Sequence, residues 1–150
     1  MNGQKRALDF FREGWNCAQS VLLAHAGEAG LDEKTAARLG APLGAGVSGL
    51  RRTCGALTGT ILLEGLATEG YPPGDARAKN AYYAKIREME SEFAAEAGSS
   101  ICREILRGAG IAAKEEASER TEGYYAARNS CERCIALAER LWLERHPKGE

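Results

Sequence analysis

The residues of this sequence best suited to chemistry are its five cysteines, at positions 17, 54, 102, 131 and 134. An odd number of cysteines argues against a framework of paired structural disulfides. It leaves metal ligation, redox chemistry or the burial of apolar thiols. The central cysteine opens the motif Cys54-Gly55-Ala56-Leu57-Thr58-Gly59, which makes Cys54 the first candidate for a reactive thiol.

Four of the cysteines follow residues that favour the start of a helix. The pairs of cap and cysteine are Asn16 with Cys17, Thr53 with Cys54, Ser100 with Cys102, and Ser130 with Cys131. A helix N-terminus carries partial positive charge and free N–H groups, which lower the pKa of a thiol and can bond to a cluster-bound sulfur. The pattern predicts reactive or ligating cysteines, although buried cysteines that merely pack would satisfy it too.

The approach to Cys54 is rich in glycine. Because each glycine inside a helix costs about 1 kcal/mol relative to alanine, we interpret residues 44–53 as a loop that delivers Cys54 to the next helix. Gly55 and Gly59 are four residues apart and therefore lie on one helix face. Two interpretations stay open for that face: close helix packing, or room for a cofactor or a second thiol beside Cys54.

Cys131 and Cys134 form a Cys-x-x-Cys motif at the start of the last predicted helix. This spacing is used by thiol oxidoreductases and by many metal sites, so Cys54, Cys131 and Cys134 are candidate catalytic thiols. No βαβ pattern surrounds the motif and no second Cys-x-x-Cys accompanies it, which disfavours a thioredoxin-like fold and a classical zinc module. The sequence also lacks the Cys-x-x-Cys-His motif of covalently bound haem.

The elements that must position these thiols are helices. Apolar residues recur at helical spacing, and alternating β-branched runs are nearly absent. We expect an all-α fold, a compact helical bundle of about six to eight helices forming a single domain over residues 1–150. The longest helix is predicted over residues 76–97, and residues 114–122 as a solvated helix or a mobile connector. An aromatic and methionine stripe at 82–93 predicts core packing or an oligomer face, such as that of a homodimer.

Bulk properties restrict the partners. The 150 residues carry a net charge of −1, which gives no reason to expect binding to nucleic acid or to an anionic membrane. No apolar run is long enough to span a bilayer, and early acidic residues argue against a signal peptide. We therefore expect a cytoplasmic protein. Arg51 and Arg52 are interpreted as a solvated pair that could instead depress a thiol pKa, His25 as a helix-end residue and His146 as solvated.

The cysteine segments together resemble the C_GCAxxG_C_C family of redox-active proteins, over roughly residues 10–140. The segments that carry the resemblance are Gly14-x-Asn16-Cys17-Ala18-Gln19, the Cys54 motif, and Ser100-x-Cys102-Arg103-Glu104-x-Leu106. Cys131 is favoured as the fourth family cysteine, with Cys134 as the alternative. The family is similar to a domain of split-Soret cytochromes, a similarity that implies helices and an iron–sulfur cluster rather than haem.

Three functions follow as hypotheses. The first is electron transfer through an iron–sulfur cluster held by Cys17, Cys54, Cys102 and Cys131, with Gly55 and Gly59 beside it. The second is a metal-free thiol–disulfide oxidoreductase or sensor, with Cys54 or Cys131 as the nucleophile. The third is a non-catalytic helical interaction module whose cysteines only pack. The first two imply a redox partner protein, and whether the chain is an enzyme stays open.

Overall fold

Eight α-helices make up the fold in a computed structural model that describes residues 5–147. They are α1 Ala7–Arg12, α2 Cys17–His25, α3 Glu33–Gly40, α4 Gly55–Ala67, α5 Ala76–Ala97, α6 Cys102–Gly108, α7 Glu122–Ala127 and α8 Asn129–Arg145. Within the described residues the extended backbone pairs only at an isolated bridge between Thr53 and Ile101. The expected all-α fold is therefore confirmed, with a helix count at the upper end of the predicted range.

Helix α2 is the centre of the bundle. It packs most extensively on α4 and also contacts α1 and α3, while α8 contacts α1, α2, α4 and α5. The core that these helices enclose is apolar, and burying each large aliphatic or aromatic side chain stabilises it by about 1.5–3 kcal/mol. Fully buried members include Phe11, Leu22, Leu57, Leu63, Met89, Phe93 and Ile135.

Local hydrogen bonding fixes where these helices begin and end. The Asn16 side chain accepts from the Gln19 N–H at 2.8 Å, and the Gln19 side chain accepts from the Asn16 N–H at 3.1 Å, so the two form a capping box in front of Cys17. Asp75 caps α5 through the Ala78 N–H at 2.9 Å. Gly98, at φ 91°, ends α5 at the predicted residue.

The stripe on α5 divides into two parts. Met89 and Phe93 are buried in the core, which confirms the core-packing interpretation for the second half of the helix. Tyr82 and Tyr83 instead lie at the surface, edge-on to Tyr71 at ring-centroid distances of 5.5 and 5.9 Å. Tyr83 is 42% exposed, so the tyrosines form an aromatic surface cluster rather than part of the core.

A buried polar cluster ties α8 to the N-terminal helices. His25, the last residue of α2, lies 2.7 Å from a Glu139 carboxylate oxygen. The same carboxylate accepts from the Ala7 N–H and from the Arg6 guanidinium, both at 3.0 Å. Burial opposes ionisation of Glu139, but these hydrogen bonds outweigh it and lower its pKa. His25 is thus a helix-end residue, as predicted, and serves the packing of three helices.

The expectation that His146 is solvated is wrong. Its ring stacks on Trp142 at a centroid distance of 3.8 Å, and its Nε2 lies 2.9 Å from a Glu64 carboxylate oxygen. The side chain is therefore held against α4 and α8 rather than solvated. Among residues 5–147, no helix is long and apolar enough to cross a membrane.

Candidate functional site

All five cysteines line one cavity of about 350 Å³, called here the cysteine cavity. The four that the sequence placed at helix starts do meet in the fold, and Cys134 joins them. Other residues that line the cavity and shape its chemistry are Asn16, Arg51, Gly55, Arg120, Tyr124 and Arg128. The bundle therefore concentrates its thiols, together with three arginines, at a single place.

Helix starts deliver these cysteines as the sequence predicted, with small differences in register. Cys17 and Cys102 are the first residues of α2 and α6, and Cys131 lies in the first turn of α8. Cys54 is itself the cap residue of α4, a position expected for Thr53. Thr53 is instead used in the bridge to Ile101.

That bridge places two of the thiols beside each other. The Cys54 N–H donates to the Ser100 carbonyl at 2.8 Å, and the Cys102 N–H donates to the Arg52 carbonyl at 2.6 Å. The segments that precede α4 and α6 are thus joined by backbone hydrogen bonds. Because the bonds involve the cysteines' own backbone, they set the position of Cys54 relative to Cys102.

Cys17 and Cys131 form a strongly polarised pair. The pKa of Cys131 is lowered to about 6, chiefly because the Cys17 thiol donates a hydrogen bond to its thiolate. Burial opposes the change, whereas the cations Arg128 and Arg51 support it. The pKa of Cys17 is correspondingly raised well above 9.0 by the hydrogen bond to Cys131 and by burial. At neutral pH this pair is one thiolate and one thiol.

Cys54 and Cys134 form a second pair in a drier place. Their exposed fractions are only 6% and 4%. The pKa of Cys54 is raised well above 9.0, first by the hydrogen bond with Cys134 and then by burial. The N–H groups of Ala56 and Leu57, in the first turn of α4, lower it but are outweighed. The Cys-x-x-Cys motif is therefore divided, since each of its cysteines has a partner on a different helix.

Cys102 lies against an arginine. The Arg51 guanidinium is 3.6 Å from the Cys102 sulfur, and its Nε donates to the Lys114 carbonyl at 2.9 Å. Burial raises the pKa of Cys102, and Arg51 partly offsets the rise. Arg51 is only 9% exposed, so the interpretation of a solvated pair is wrong for this residue and holds for Arg52, which is exposed.

The expectation that a helix start lowers the thiol pKa is wrong for Cys17, Cys54 and Cys102. Their pKa values are raised, because burial and the neighbouring thiols outweigh the positive helix end. Only Cys131 has a lowered pKa, and its largest cause is a thiol rather than the helix. Neighbouring thiols, burial and the arginines, rather than the helix positions, determine these pKa values.

Gly55 and Gly59 hold α4 close to α2. A Cβ on Gly59 would lie 3.1 Å from the Ala18 carbonyl oxygen and 3.2 Å from Cβ of Val21. A Cβ on Gly55 would lie 3.3 Å from Cβ of Cys17. Gly55 also lines the cysteine cavity, where the second thiol beside it is Cys17, whereas close packing accounts for Gly59.

The segment predicted as a loop before Cys54 contains a left-handed turn. Ala45, Gly46, Val47, Ser48 and Gly49 all have positive φ, between 53° and 91°. The Gly49 N–H and Arg51 N–H both donate to the Ala45 carbonyl at 3.1 Å, which closes the turn. Such backbone costs about 1–2 kcal/mol for each residue other than glycine. Strained backbone of this kind is concentrated at functional sites, and this turn borders the cysteine cavity.

Residues 114–122 were expected as a solvated helix or a connector; the chain has no regular structure from 111 to 121, crosses the cysteine cavity there, and enters α7 at Glu122. The Arg120 guanidinium donates to the carbonyls of Phe11 and Trp15, each at 3.2 Å. It also lies 4.8 Å from the ring centres of Phe11 and Tyr124. Sequence patterns did not single out Arg120 or Arg128, because their roles depend on contacts between distant segments.

The donor set suits an iron–sulfur cluster, since cysteine thiolates are its usual ligands. The arrangement is less suited, because the sulfurs are paired two by two. Within residues 5–147, no group of three or more His, Cys, Asp or Glu residues is placed to hold a metal ion. A cluster in this cavity would therefore require the two thiol pairs to separate.

The chain matches one protein family along most of its length. The family is described as "Putative redox-active protein (C_GCAxxG_C_C)", and its model matches residues 15–144. The chain belongs to this family. Its match contains all five cysteines and the central Cys54 motif, so the cysteine cavity is built entirely from the family's part of the chain. No curated protein and no solved structure matches the chain significantly.

Proposed function

We propose that this C_GCAxxG_C_C protein is a thiol–disulfide redox protein whose reactive pair is Cys131 and Cys17. The observation that carries the proposal is the pairing of a thiolate with a hydrogen-bonded thiol inside a cavity. A reactive cysteine needs a lowered pKa, positive surroundings and partial access, and Cys131 has all three. Cys17 is also partly accessible and lies within reach to act as the resolving thiol.

The proposed reaction consumes a disulfide, RS–SR, carried by a small molecule or by a partner protein. The Cys131 thiolate attacks one sulfur, a Cys131–SR bond forms, the RS–SR bond breaks and RS⁻ leaves. Cys17 then attacks the Cys131 sulfur, the Cys17–Cys131 disulfide forms, the Cys131–SR bond breaks and the second RS group leaves. The Cys17 proton ends on one of the leaving groups, so the products are RS⁻ and RSH. Two electrons pass from the protein to the substrate.

The surrounding cations support the first step of this reaction. Arg128 is 7% exposed and Arg51 is 9% exposed, so both charges act on Cys131 through little water. Arg128 is itself held by the Tyr124 ring, 5.0 Å from the guanidinium carbon. Once Cys131 is in the mixed disulfide, its negative charge is gone. The main cause of the raised Cys17 pKa then disappears, which favours ionisation of Cys17 for the second step.

The test is a redox titration of the whole chain under anaerobic conditions. Free thiols are blocked at each potential, and peptide mass spectrometry then identifies the bridged cysteines. We expect a reversible two-electron transition that links Cys17 with Cys131. Cys102→Ser should keep this transition and Cys131→Ser should abolish it. Equal alkylation of all five thiols at reducing and oxidising potentials would refute the proposal.

A second candidate is electron transfer through an iron–sulfur cluster. It is favoured by one observation, the convergence of five thiols from three helices and a cap position on one cavity. Cys17, Cys54, Cys102 and Cys131 would hold the cluster, which would supply one-electron chemistry. Iron and acid-labile sulfide analysis of protein purified anaerobically separates the candidates. Stoichiometric iron and sulfide, with thiols that resist alkylation until iron is removed, would favour the cluster over the disulfide.

The remaining expectations are part of the same proposal. We infer exchange with a redox partner protein and a cytoplasmic location, where reduced thiols are maintained by the compartment. The aromatic surface cluster of Tyr71, Tyr82 and Tyr83 is the face at which homodimer formation would be examined first. Sedimentation of the wild-type chain beside Tyr83→Ser would show whether that face joins two copies.

A further inference from the structure

A second cavity of about 360 Å³ also reaches Cys134. It lies between α6, the end of α5 and the first half of α8. Cys134 and Ile105 line both this second cavity and the cysteine cavity. Cys134 therefore stands in the wall between the two. The other four cysteines are outside the lining of the second cavity, so it offers a separate approach to one thiol.

The second cavity is lined by a buried hydroxyl, that of Ser130, which is not used in a hydrogen bond within residues 5–147. Ser130 lines it and is 5% exposed. Among the described residues, the Ser130 Oγ has no hydrogen-bond partner. Leaving such a group unpaired is unfavourable, and a polar molecule bound in the cavity would supply the missing hydrogen bond. Ser130 is four residues before Cys134 on α8, so hydroxyl and thiol lie on the same helix face.

Charged side chains of both signs line the same cavity. Glu96 and Glu104 line the second cavity from α5 and α6, and Arg133 lines it from α8. Glu104 accepts from the Ser99 hydroxyl at 2.6 Å, and Glu96 is paired with Arg140. All three charged side chains are exposed. Two carboxylates and a guanidinium at one rim are complementary to a ligand that carries both an ammonium and a carboxylate.

We propose that the second cavity binds a low-molecular-weight disulfide of amino-acid type and presents it to Cys134. This inference rests on the proposed function and names a second entrance and a substrate class for it. Arg133 would bind the ligand's carboxylate, Glu104 or Glu96 its ammonium group, and the Ser130 hydroxyl one of its polar atoms. The disulfide would then lie next to Cys134, the one cysteine that lines the second cavity.

The exchange mirrors the one at Cys131. Cys134 attacks a sulfur of RS–SR, a Cys134–SR bond forms, the RS–SR bond breaks, and the Cys134 proton leaves on the departing RSH. Cys54, the hydrogen-bonded partner of Cys134, then attacks the Cys134 sulfur. This forms the Cys54–Cys134 disulfide and releases a second RSH that carries the Cys54 proton. Two electrons pass to the small disulfide.

The experiment traps the first step in Cys54→Ser, which lacks the resolving thiol. The probes are cystine, cystamine, which lacks the carboxylates, and dithiodiglycolate, which lacks the ammonium groups. Peptide mass spectrometry measures the adduct at Cys134 over time. We expect cystine to react several-fold faster than either of the other two. Modification confined to Cys17 and Cys131, or equal rates for the three probes at Cys134, would overturn the inference.

Surface variants in the wild-type chain give a second measure that does not depend on Cys54→Ser folding. Arg133→Gln should slow Cys54–Cys134 bridging by cystine and by dithiodiglycolate several-fold, without affecting cystamine. Arg107→Gln removes an exposed arginine from α6 outside the second cavity and should change none of the rates. If both variants behave alike with every probe, the assignment of the second cavity fails.

The same samples separate this inference from the proposed function. Bridging of Cys17 with Cys131, without any adduct or bridge at Cys134, would overturn only the second entrance. Absence of every disulfide would overturn the proposed function, and the second entrance with it.

Discussion

The two thiol pairs use the same residue type in the same cavity, yet their surroundings differ. Cys17 and Cys131 are partly accessible and lie near two buried guanidinium groups. Cys54 and Cys134 are buried, and their main electrostatic neighbours are each other. Cys131 in the first pair is therefore a thiolate at neutral pH, whereas Cys54 in the second pair stays protonated. Since both pairs contain a hydrogen-bonded thiol partner and a cysteine at a helix start, nearby arginines and solvent accessibility are what distinguish the reactive thiol.

The division of the Cys-x-x-Cys motif follows from the same comparison. Cys131 and Cys134 are one helical turn apart on α8, but each is matched with a cysteine from a different element, α2 or the cap of α4. The two pairs are thus linked through α8 while remaining chemically distinct. A disulfide in one pair would change the charge next to the other, because both line the same cavity.

The largest expected difference between the pairs is their reactivity toward iodoacetamide at pH 6. With a pKa of about 6, Cys131 is half ionised, against about 0.1% of a thiol at the ordinary value of 9.0. The weaker basicity of Cys131 reduces its intrinsic nucleophilicity, which leaves an advantage of about 20-fold. Alkylation rates resolved by peptide mass spectrometry compare Cys131 with the thiols of the other pair. Equal rates for these thiols in denaturant are the control, and equal rates in the native chain would contradict the comparison.

The next largest effect concerns the packing that holds Cys17 near Cys54. Gly59→Ala should destabilise the chain by about 1–3 kcal/mol, because its methyl group would be forced against Ala18 and Val21. Gly65→Ala is the matched control on the same helix. Only the Tyr82 hydroxyl, at 3.9 Å, lies near its Cβ, so it should stabilise by up to about 1 kcal/mol. Urea unfolding compares them, and a destabilising Gly65→Ala with a neutral Gly59→Ala would contradict the packing argument.

These two predictions also show how much the sequence could reveal. Helical periodicity and caps predicted the bounds of α5 and the start of α2, because both depend on residues within a few positions. The resemblance located the cysteines that meet. The helix α7 was missed, since its six residues are too few to show a helical period and include Gly123.

Features that depend on contacts between distant residues could not be predicted from sequence patterns. The left-handed turn at 45–49 includes Val47, a residue that avoids positive φ, so no local rule predicts it. The sequence does not distinguish Arg51 from its exposed neighbour Arg52. The difference arises from the contacts of Arg51 with the Cys102 sulfur and the Lys114 carbonyl, which belong to distant segments. The pairing of Cys131 with Cys17 likewise arises from helix packing, not from the spacing of the cysteines.

The third prediction is that stability depends on pH with opposite signs for the two pairs. The folded pKa of Cys131 is below its unfolded value of 9.0, so its contribution is present above pH 9 and lost as pH falls through about 6. The free energy of unfolding should rise between pH 6 and 8 with a slope of at most about 1.4 kcal/mol per pH unit. Cys131→Ser should flatten this rise.

Above pH 9 the buried thiols reverse the trend. The folded pKa values of Cys17 and Cys54 exceed 9.0, so their contribution is present below pH 9 and lost as the pH rises toward the folded values. Stability should therefore pass a maximum near pH 8–9 and then decline. Urea titrations across pH 5–10 measure both limbs. A wild-type curve that stays flat where Cys131→Ser is flat would contradict the assignment of the rise to Cys131.

The smallest expected effect tests the cation that distinguishes the first pair. Arg51→Gln removes a buried charge that lowers the pKa of both Cys131 and Cys102, so both pKa values should rise. A rise of about one unit at Cys131 would lower its alkylation rate at pH 6 by only about 2-fold, because the more basic thiolate is a better nucleophile. Arg52→Gln removes the exposed neighbour and should leave the rate unchanged. Since a general loss of packing would speed alkylation of the buried Cys54 and Cys134, only a slower Cys131 with unchanged buried thiols supports an electrostatic role for Arg51.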